Sequence, residues 1–149
     1  MYNDTITLFN RYTNRDGDTW YPTVIRGVNL NIDRAAIVAK YGAQSSDSAV
    51  LNVGYLLDGG NKIIVGKPWR APKAWEEQPN DELGCSLTFK GGSTFDFFYV
   101  GEWQGTEPIA DAEYSGGFYT YMNDRYDNVF AITSVGMYSV IPHFEILGK

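Results

Sequence analysis

Cysteine and histidine are almost absent from this chain, and their scarcity narrows the chemistry it can perform. Of 149 residues, one is a cysteine, Cys85, and one is a histidine, His143. A single cysteine excludes an internal disulfide framework and a cysteine-based zinc cluster. Nucleophilic catalysis needs a nucleophile beside a base, and neither residue lies in a sequence context typical of such a pair. We therefore expect Cys85 to be a small core residue, His143 to be a structural or interface residue, and the protein not to be an enzyme.

Positive charge and long apolar runs are also scarce. The chain has 12 Lys and Arg against 18 Asp and Glu, a net charge of −6. Such a domain does not attract a phosphate backbone, so sequence-reading nucleic-acid binders are disfavoured, whereas a surface that DNA slides past without binding is not. No apolar run approaches the ~20 residues that a membrane span needs, and the first residues lack the features of a signal peptide. The sequence predicts a soluble protein made in the cytoplasm, with no membrane partner.

Aromatic residues are abundant, and their context favours strands. They make up 15% of the chain, with 11 Tyr, 8 Phe and 4 Trp, and such side chains suit pleated, half-buried surfaces. Apolar and polar residues alternate around Ile6 and again at 28–33, as in a strand with one wet face. We therefore predict an all-β fold over 1–149: a single small β-barrel or sandwich of antiparallel strands, with long loops and at most one short helix.

Glycine, proline and asparagine mark the expected turns and irregularities. Hairpin turns are predicted at 14–18 and 58–61, an edge position at Pro22 and a bulge at Gly27. Further hairpins are expected from 86–90 with 95–100 and from 128–134 with 137–147, which places His143 on the last strand. Residues 34–41 fit a short helix or an irregular excursion, 106–123 a loop, and 66–84 a long loop that partly packs against the domain.

No motif for catalysis or for a cofactor stands out. Glycosidases need two paired carboxylates, and acidic residues do lie near aromatic ones between 96 and 114, but their spacing selects no pair. Asp16-Gly17-Asp18 resembles a fragment of a calcium loop without its remaining ligands, so a turn is expected there. The glycine pairs lack the following Lys-Ser/Thr of a phosphate-binding loop. We expect neither a metal nor a cofactor.

Nine short segments follow one another along the chain. Two of them are Gly66-Lys-Pro-Trp-Arg-Ala-Pro-Lys-Ala-Trp75 and Pro142-His-Phe-Glu-Ile-Leu-Gly-Lys149, and the others lie at 5–12, 20–28, 34–42, 47–53, 87–92, 97–103 and 132–135. In this order they resemble the minor capsid, or head-completion, proteins of long-tailed bacteriophages, which form the stopper of the neck. The similarity spans nearly the whole chain. The chain departs from that family in extra sequence around 105–123 and in the apolar stretch before His143.

The resemblance implies a small β-barrel that assembles as a six- or twelve-fold ring beneath the portal and its adaptor, in the neck of the virion. Assembly takes place in the cytoplasm of the bacterial host. The ring docks tail-end proteins and closes the channel after packaging, and double-stranded DNA passes it without sequence-specific binding.

Two loops compete for the role of channel plug. We favour 34–48 over 66–84, since its small residues and serines permit movement, whereas prolines and tryptophans stiffen the other loop. The residues assigned to the plug are Arg34, Lys40, Tyr41, Gly42, Ser45, Ser46, Asp47 and Ser48. The candidate interface residues are Lys67, Trp69, Trp75 and His143, with packing inside the domain as the alternative for the two tryptophans.

Two other functions are compatible with the sequence. One is a neighbouring ring component of the virion, such as a tail terminator. The other is a carbohydrate-binding β-module in which Trp103, Tyr114, Tyr119 and Tyr121 form a platform for sugar rings.

Overall fold

A closed antiparallel β-barrel forms the centre of the molecule. The computed structural model describes residues 2–32 and 49–149. Its barrel strands are β1 (Asp4–Asn14), β2 (Gly17–Ile32), β3 (Ala49–Gly54), β7 (Phe97–Val100), β9 (Val129–Tyr138) and β10 (His143–Gly148). They are hydrogen-bonded in the order β1-β7-β9-β10-β3-β2, and pairing of β2 with β1 closes the barrel. The predicted all-β fold and β-barrel are confirmed.

Smaller elements decorate this barrel. Strand β8 (Ile109–Ala110) extends the sheet beyond β2, and β4 (Leu56–Asp58), β5 (Asn61–Ile64) and β6 (Lys67–Pro68) form a separate three-stranded sheet. Helices α1 (Pro72–Glu76) and α2 (Phe118–Arg125) and the 3-10 helices Asn80–Cys85 and Asp111–Glu113 lie in the connections. Among the described residues, no helix is long and apolar enough to cross a membrane.

The long β1–β2 hairpin follows the predicted turn and bulge. Asn14 pairs with Gly17 at the tight turn. The register shifts where Asp4 pairs with Val28 and the next residue pairs with Arg26, so that Gly27 bulges out with a φ of 75°. A positive φ of this size favours glycine, because glycine has no Cβ that would clash with the backbone. The bulge therefore confirms the prediction for Gly27.

Two apolar clusters lie inside and beside the barrel. The first fills its interior with aliphatic and aromatic side chains from all six strands and from the segment 87–89. The second lies where α2 covers β7 and β9, and its buried members are Phe9, Trp20, Phe97, Ile109, Phe118, Met122 and Val129. Since side chains of β1 and β7 contribute to both clusters, the two are continuous through the sheet.

Helix α2 contradicts the predicted loop over 106–123. Its sequence, Phe118-Tyr-Thr-Tyr-Met-Asn-Asp-Arg125, is rich in aromatic, β-branched and polar residues with modest helix propensity. The helix forms because Phe118 and Met122, four residues apart, share one face and are both fully buried against the sheet. Tertiary packing thus outweighs local propensity.

The predicted hairpin of 86–90 with 95–100 is also wrong. Residues 86–90 form no strand, and their only ladder contact is a parallel bridge between Leu87 and Trp69. All five side chains are buried, and the Thr88 carbonyl accepts a hydrogen bond from the Asn10 side chain at 2.7 Å. Burial, the bond from Asn10 and two backbone bonds fix the segment: Leu87 N–H donates to the Pro68 carbonyl at 3.1 Å, and Arg70 N–H donates to the Leu87 carbonyl at 2.9 Å. Strand β7 pairs with β1 and β9 instead.

The closing hairpin exists, but its turn lies further along the chain than predicted. Strand β9 continues through Gly136, which pairs with Glu145, and the chain turns at 139–142. His143 begins β10, as expected. A second correction concerns Cys85, which is exposed at the end of a 3-10 helix and not in the core.

Candidate assembly surface

Exposed apolar side chains gather at one end of the barrel. At the tip of the β9–β10 hairpin, Val140 is 96% exposed and Ile141 72%. On β4, which follows β3 almost directly, Leu56 is 75% exposed and Leu57 66%. We call this set, together with Met137 and Tyr138 on β9, the apolar end surface. It comprises Leu56, Leu57, Met137, Tyr138, Val140 and Ile141.

The two parts of this surface are held together by hydrogen bonds. The Tyr55 backbone N–H donates to the Pro142 carbonyl at 3.2 Å, and the Tyr55 hydroxyl donates to the Tyr138 carbonyl at 3.0 Å. The Tyr55 ring is buried beside that of Phe144, with 5.4 Å between the ring centroids. The hairpin tip is therefore fixed relative to β4.

The degree of exposure distinguishes these side chains from ordinary half-buried surface residues. Val140, Leu56, Ile141 and Leu57 are exposed by 96%, 75%, 72% and 66%. Exposed apolar side chains that lie together on a domain mark interaction sites, and the bonds of Tyr55 bring the hairpin tip and β4 together.

Strand β4 adds unpaired backbone groups to this end. Within the described residues it pairs with β5 alone, and all three of its residues are exposed. An edge strand of this kind offers its free N–H and C=O groups to another chain. Next to it lies an open cleft of about 320 Å³ with mostly apolar walls, which include Val28, Val53, Leu56 and Val65.

His143 lies at the base of the same hairpin. Its ring stacks on Tyr138, with the ring centroids 4.9 Å apart and the planes 12° from parallel. Its Nδ1 atom lies 2.7 Å from the Ile141 carbonyl oxygen. The half-buried ring supports the tip and borders the apolar end surface, which is the position that the predicted interface role requires.

The other predicted interface residues have different surroundings. Trp75 is completely buried between Tyr12 and Tyr21, and its Nε1–H points towards the Leu83 carbonyl at 3.2 Å. The interface alternative is therefore wrong for Trp75, and packing inside the domain is confirmed. Trp69 is half-buried and packs on Phe144 with ring centroids 5.0 Å apart.

The predicted plug residues lie outside the described residues, and so does the helix or excursion predicted at 34–41. The plug residues are Arg34, Lys40, Tyr41, Gly42, Ser45, Ser46, Asp47 and Ser48. The described residues that flank this segment, Ile32 and Ala49, pair with each other. Ala49 also pairs with Gly148, at the end of β3 opposite to Gly54 and the hairpin tip.

The four aromatic residues of the predicted sugar platform do not form one flat surface. Trp103 and Tyr121 both approach Phe118, but their rings lie at 80° and 17° to it. Tyr119 instead packs edge-on against Phe95 and Phe97. A separate cleft of about 410 Å³ opens beside Trp103, and Tyr99, Glu102, Gln104 and Tyr126 line it.

A buried charge network joins β1 to the segments at 76–90 and 96. The Asp96 carboxylate is completely buried, and it accepts hydrogen bonds from Asn10 Nδ2 at 2.9 Å and from the Arg11 backbone N–H at 2.8 Å. Lys90 Nζ lies 3.6 Å from it and donates to the Arg11 carbonyl at 2.6 Å and to Glu76 at 3.3 Å. Burial raises the pKa of Asp96 to about 7, although the Lys90 ammonium and the two hydrogen bonds act in the opposite direction.

The hydrogen bonds of Asp96 to Asn10 and Arg11 join β1 to the segment before β7. The carboxylate itself has no solvent-accessible surface. In the part of the chain that the structure describes, no three His, Cys, Asp or Glu side chains come close enough to hold a metal ion.

Comparison with known protein families gives a match that covers the chain from end to end. A family model described as a family of unknown function (DUF6751) matches residues 1–149. No curated protein and no solved structure matches the chain. Since the match extends over the whole sequence, the chain belongs to this family of unknown function, DUF6751.

Proposed function

We propose that this protein is a structural component of the neck of a tailed bacteriophage, a stopper that forms a ring below the portal and adaptor, closes the DNA channel and docks the tail. The apolar end surface carries the assembly part of the proposal. The phage context comes from the ordered segments that resemble head-completion proteins.

The position of the apolar end surface supports an axial contact. A head-to-tail ring needs two complementary surfaces on opposite flanks of each subunit. The exposed apolar residues instead converge on one end of the barrel, around Tyr55 and Pro142. We therefore assign this surface to the neighbouring neck protein that stacks on the ring, and not to the contact between subunits.

The opposite end of the barrel is the place where the predicted plug segment, which would close the channel, is attached. The segment 33–48 is joined to the domain through Ile32 and Ala49, which pair at the end of β3 away from the hairpin tip. With the docking surface at one end and the predicted plug segment attached at the other, one small domain can face both the tail and the channel. The net charge of −6 favours DNA transit, because it repels phosphate.

Electron microscopy of particles made with a nonsense mutation in the gene tests the function. Emptied heads beside free, complete tails support a stopper. Full, stable heads without tails point to a tail-side component such as a tail terminator, and normal virions overturn the neck function.

Deletion of Ser45–Ser48 tests the plug separately: rings should form while heads lose DNA, and unchanged DNA retention would exclude this loop.

A pair of substitutions tests the apolar end surface. Val140→Ser with Ile141→Ser removes the two exposed aliphatic side chains of the hairpin tip, and we expect attachment of tails to fall at least tenfold. Surface changes away from special features alter stability by less than about 0.5 kcal/mol, so the purified variant should melt like the native protein. Asn123→Ser with Asp124→Asn, both on the exposed face of α2, is the matched control. Normal tail attachment in the hairpin variant would overturn the assignment.

The cleft beside Trp103 favours one second candidate, a carbohydrate-binding module. Aromatic walls beside Glu102 and Gln104 combine the stacking faces and hydrogen-bonding groups that sugar rings need. Glycan-array binding that Trp103→Ala abolishes would favour this function. A glycan-blind protein that associates with portal or adaptor would favour the neck.

A further inference from the structure

A third cleft lies on the flank of the barrel and has basic side chains in its walls. It has a volume of about 430 Å³ and opens between β2, β6 and the backbone of Gly84 and Gly105. Its walls contain two cations, Arg26 and Lys67, and no acidic side chain. In a protein with six more acidic than basic residues, this is a local exception. We call it the Lys67 cleft.

Lys67 is a half-buried ammonium that pairs with no carboxylate among the described residues. Its Nζ donates one hydrogen bond, to Thr23 Oγ1 at 2.9 Å. The ion pairs in that part of the chain are formed by Arg11, Arg26 and Lys90. An ammonium has three donors, so Lys67 can donate to a ligand in the cleft as well as to Thr23. Burial lowers the pKa of Lys67, whereas the nearby Cys85 thiol acts in the opposite direction.

Thr23 provides a second donor at the same place. Its side chain is buried, with 6% of its surface exposed, and its oxygen accepts the bond from Lys67. A hydroxyl can accept and donate at once, so Thr23 can also donate to a ligand that Lys67 binds. Lys67 and Thr23 thus present converging donors on the wall of the cleft.

The rest of the cleft limits the ligand to a single negative charge with an apolar stem. The Arg26 guanidinium already binds Glu102, at 2.8 and 3.3 Å, so Lys67 supplies the uncompensated charge. Apolar atoms of Pro22, Val24 and Val65 form the neighbouring walls. A carboxylate on a short methylene stem matches this combination, whereas a dianion such as phosphate leaves charge unpaired and meets the net negative charge of the domain.

We propose that the Lys67 cleft binds a carboxylate side chain of a neighbouring protein subunit, with Lys67 Nζ and the Thr23 hydroxyl as donors. The chemistry of the ligand follows from the cleft, and only its source in a neighbouring subunit rests on the proposed neck function. Lys67 was a predicted interface residue, and the cleft gives that prediction a specific contact.

Titration of the isolated protein tests the carboxylate chemistry without any virion. With lysine labelled at Cε and the backbone at nitrogen, NMR follows the Lys67 methylene shift, the pKa of its ammonium and the Thr23 amide shift as N-acetylglutamate α-amide, which carries one carboxylate, or inorganic phosphate is added. We expect saturating shifts with N-acetylglutamate α-amide, with a Kd on the order of 10 mM, and a rise in the pKa of Lys67. Lys67→Met should abolish the shift of the Thr23 amide, whereas Lys73→Met, at an exposed position on α1, should leave it unchanged.

Two results would overturn the proposal. One is a Lys67 shift that grows linearly and matches that of Lys73, which indicates salt screening only. The other is tighter binding of phosphate than of N-acetylglutamate α-amide, which would make the cleft a phosphate site. The source of the carboxylate is tested in particles: Lys67→Met should weaken ring or neck assembly and Lys73→Met should not. Normal particles from Lys67→Met would overturn the subunit as source, whereas normal particles from the nonsense mutant would overturn the neck function itself.

Discussion

Replacement of Lys90 by methionine should destabilise the fold in a strongly pH-dependent way. Lys90 is 8% exposed, and its ammonium faces the completely buried Asp96 carboxylate at 3.6 Å. Methionine retains most of the apolar stem but leaves that carboxylate without its cation. Removal of one partner of a buried ion pair costs about 3–5 kcal/mol, because the other charge stays buried and uncompensated.

Protonation of Asp96 limits this cost at low pH. Burial raises the pKa of Asp96 from 3.8 to about 7 in the folded protein, so between these values the folded state holds a proton that the unfolded state has lost. Proton binding by Asp96 therefore stabilises the folded state fully below about pH 4, and this stabilisation is lost as the pH rises to about 7. The free energy of unfolding changes by roughly 4 kcal/mol over this range, at ~1.36 kcal/mol per pKa unit. At about pH 5 Asp96 is neutral in both proteins, and Lys90→Met loses only the bonds to the Arg11 carbonyl and Glu76, about 1–2 kcal/mol.

Urea unfolding followed by tryptophan fluorescence at about pH 5 and pH 8 measures the difference. We expect Lys90→Met to lower the free energy of unfolding by about 3–5 kcal/mol at the higher pH and by less than half of that at the lower one. Lys73→Met, at an exposed position, should change neither value. An equal loss at both pH values would show that the ionisation of Asp96 is not coupled to Lys90, and the reasoning would fail.

Three further substitutions test local packing by thermal or urea unfolding. Gly91→Ala should destabilise the fold by about 1–3 kcal/mol, because the new Cβ would lie 2.8 Å from the Thr133 carbonyl oxygen. Gly105→Ala is the control and should have little effect, since open space surrounds that position. Equal effects of the two substitutions would contradict the close approach at Gly91. Val65→Asn should stabilise by about 0.5–1 kcal/mol, since Val65 has a φ of 45° that asparagine tolerates better; a loss of stability would refute this strain. Trp75→Ala should cost about 3–5 kcal/mol, as expected for a fully buried indole; a cost below 1 kcal/mol would be incompatible with that burial.

Local sequence patterns determined the elements whose structure depends on neighbours along the chain. The alternation around Ile6 and at 28–32, the turn at 14–17 and the bulge at Gly27 follow from side-chain period and from backbone conformations that favour glycine. The all-β class follows from the same signals. Of the site, the sequence indicated that His143 lies on the last strand, beside what the structure shows to be the apolar end surface.

Tertiary structure decided what depends on residues far apart in the chain. Helix α2 forms only because Phe118 and Met122 find a face of the sheet to cover. Residues 86–90 form no strand, because the core, Asn10 and the segment 68–70 hold them. No local pattern shows that Trp75 is buried or that Leu56 lies beside the hairpin tip. The pairing of Thr23 with Lys67, which are 44 residues apart, likewise exists only once the barrel has closed. Local propensity sets the strands and turns, whereas burial and charge pairing across the sheet set the surfaces on which function depends.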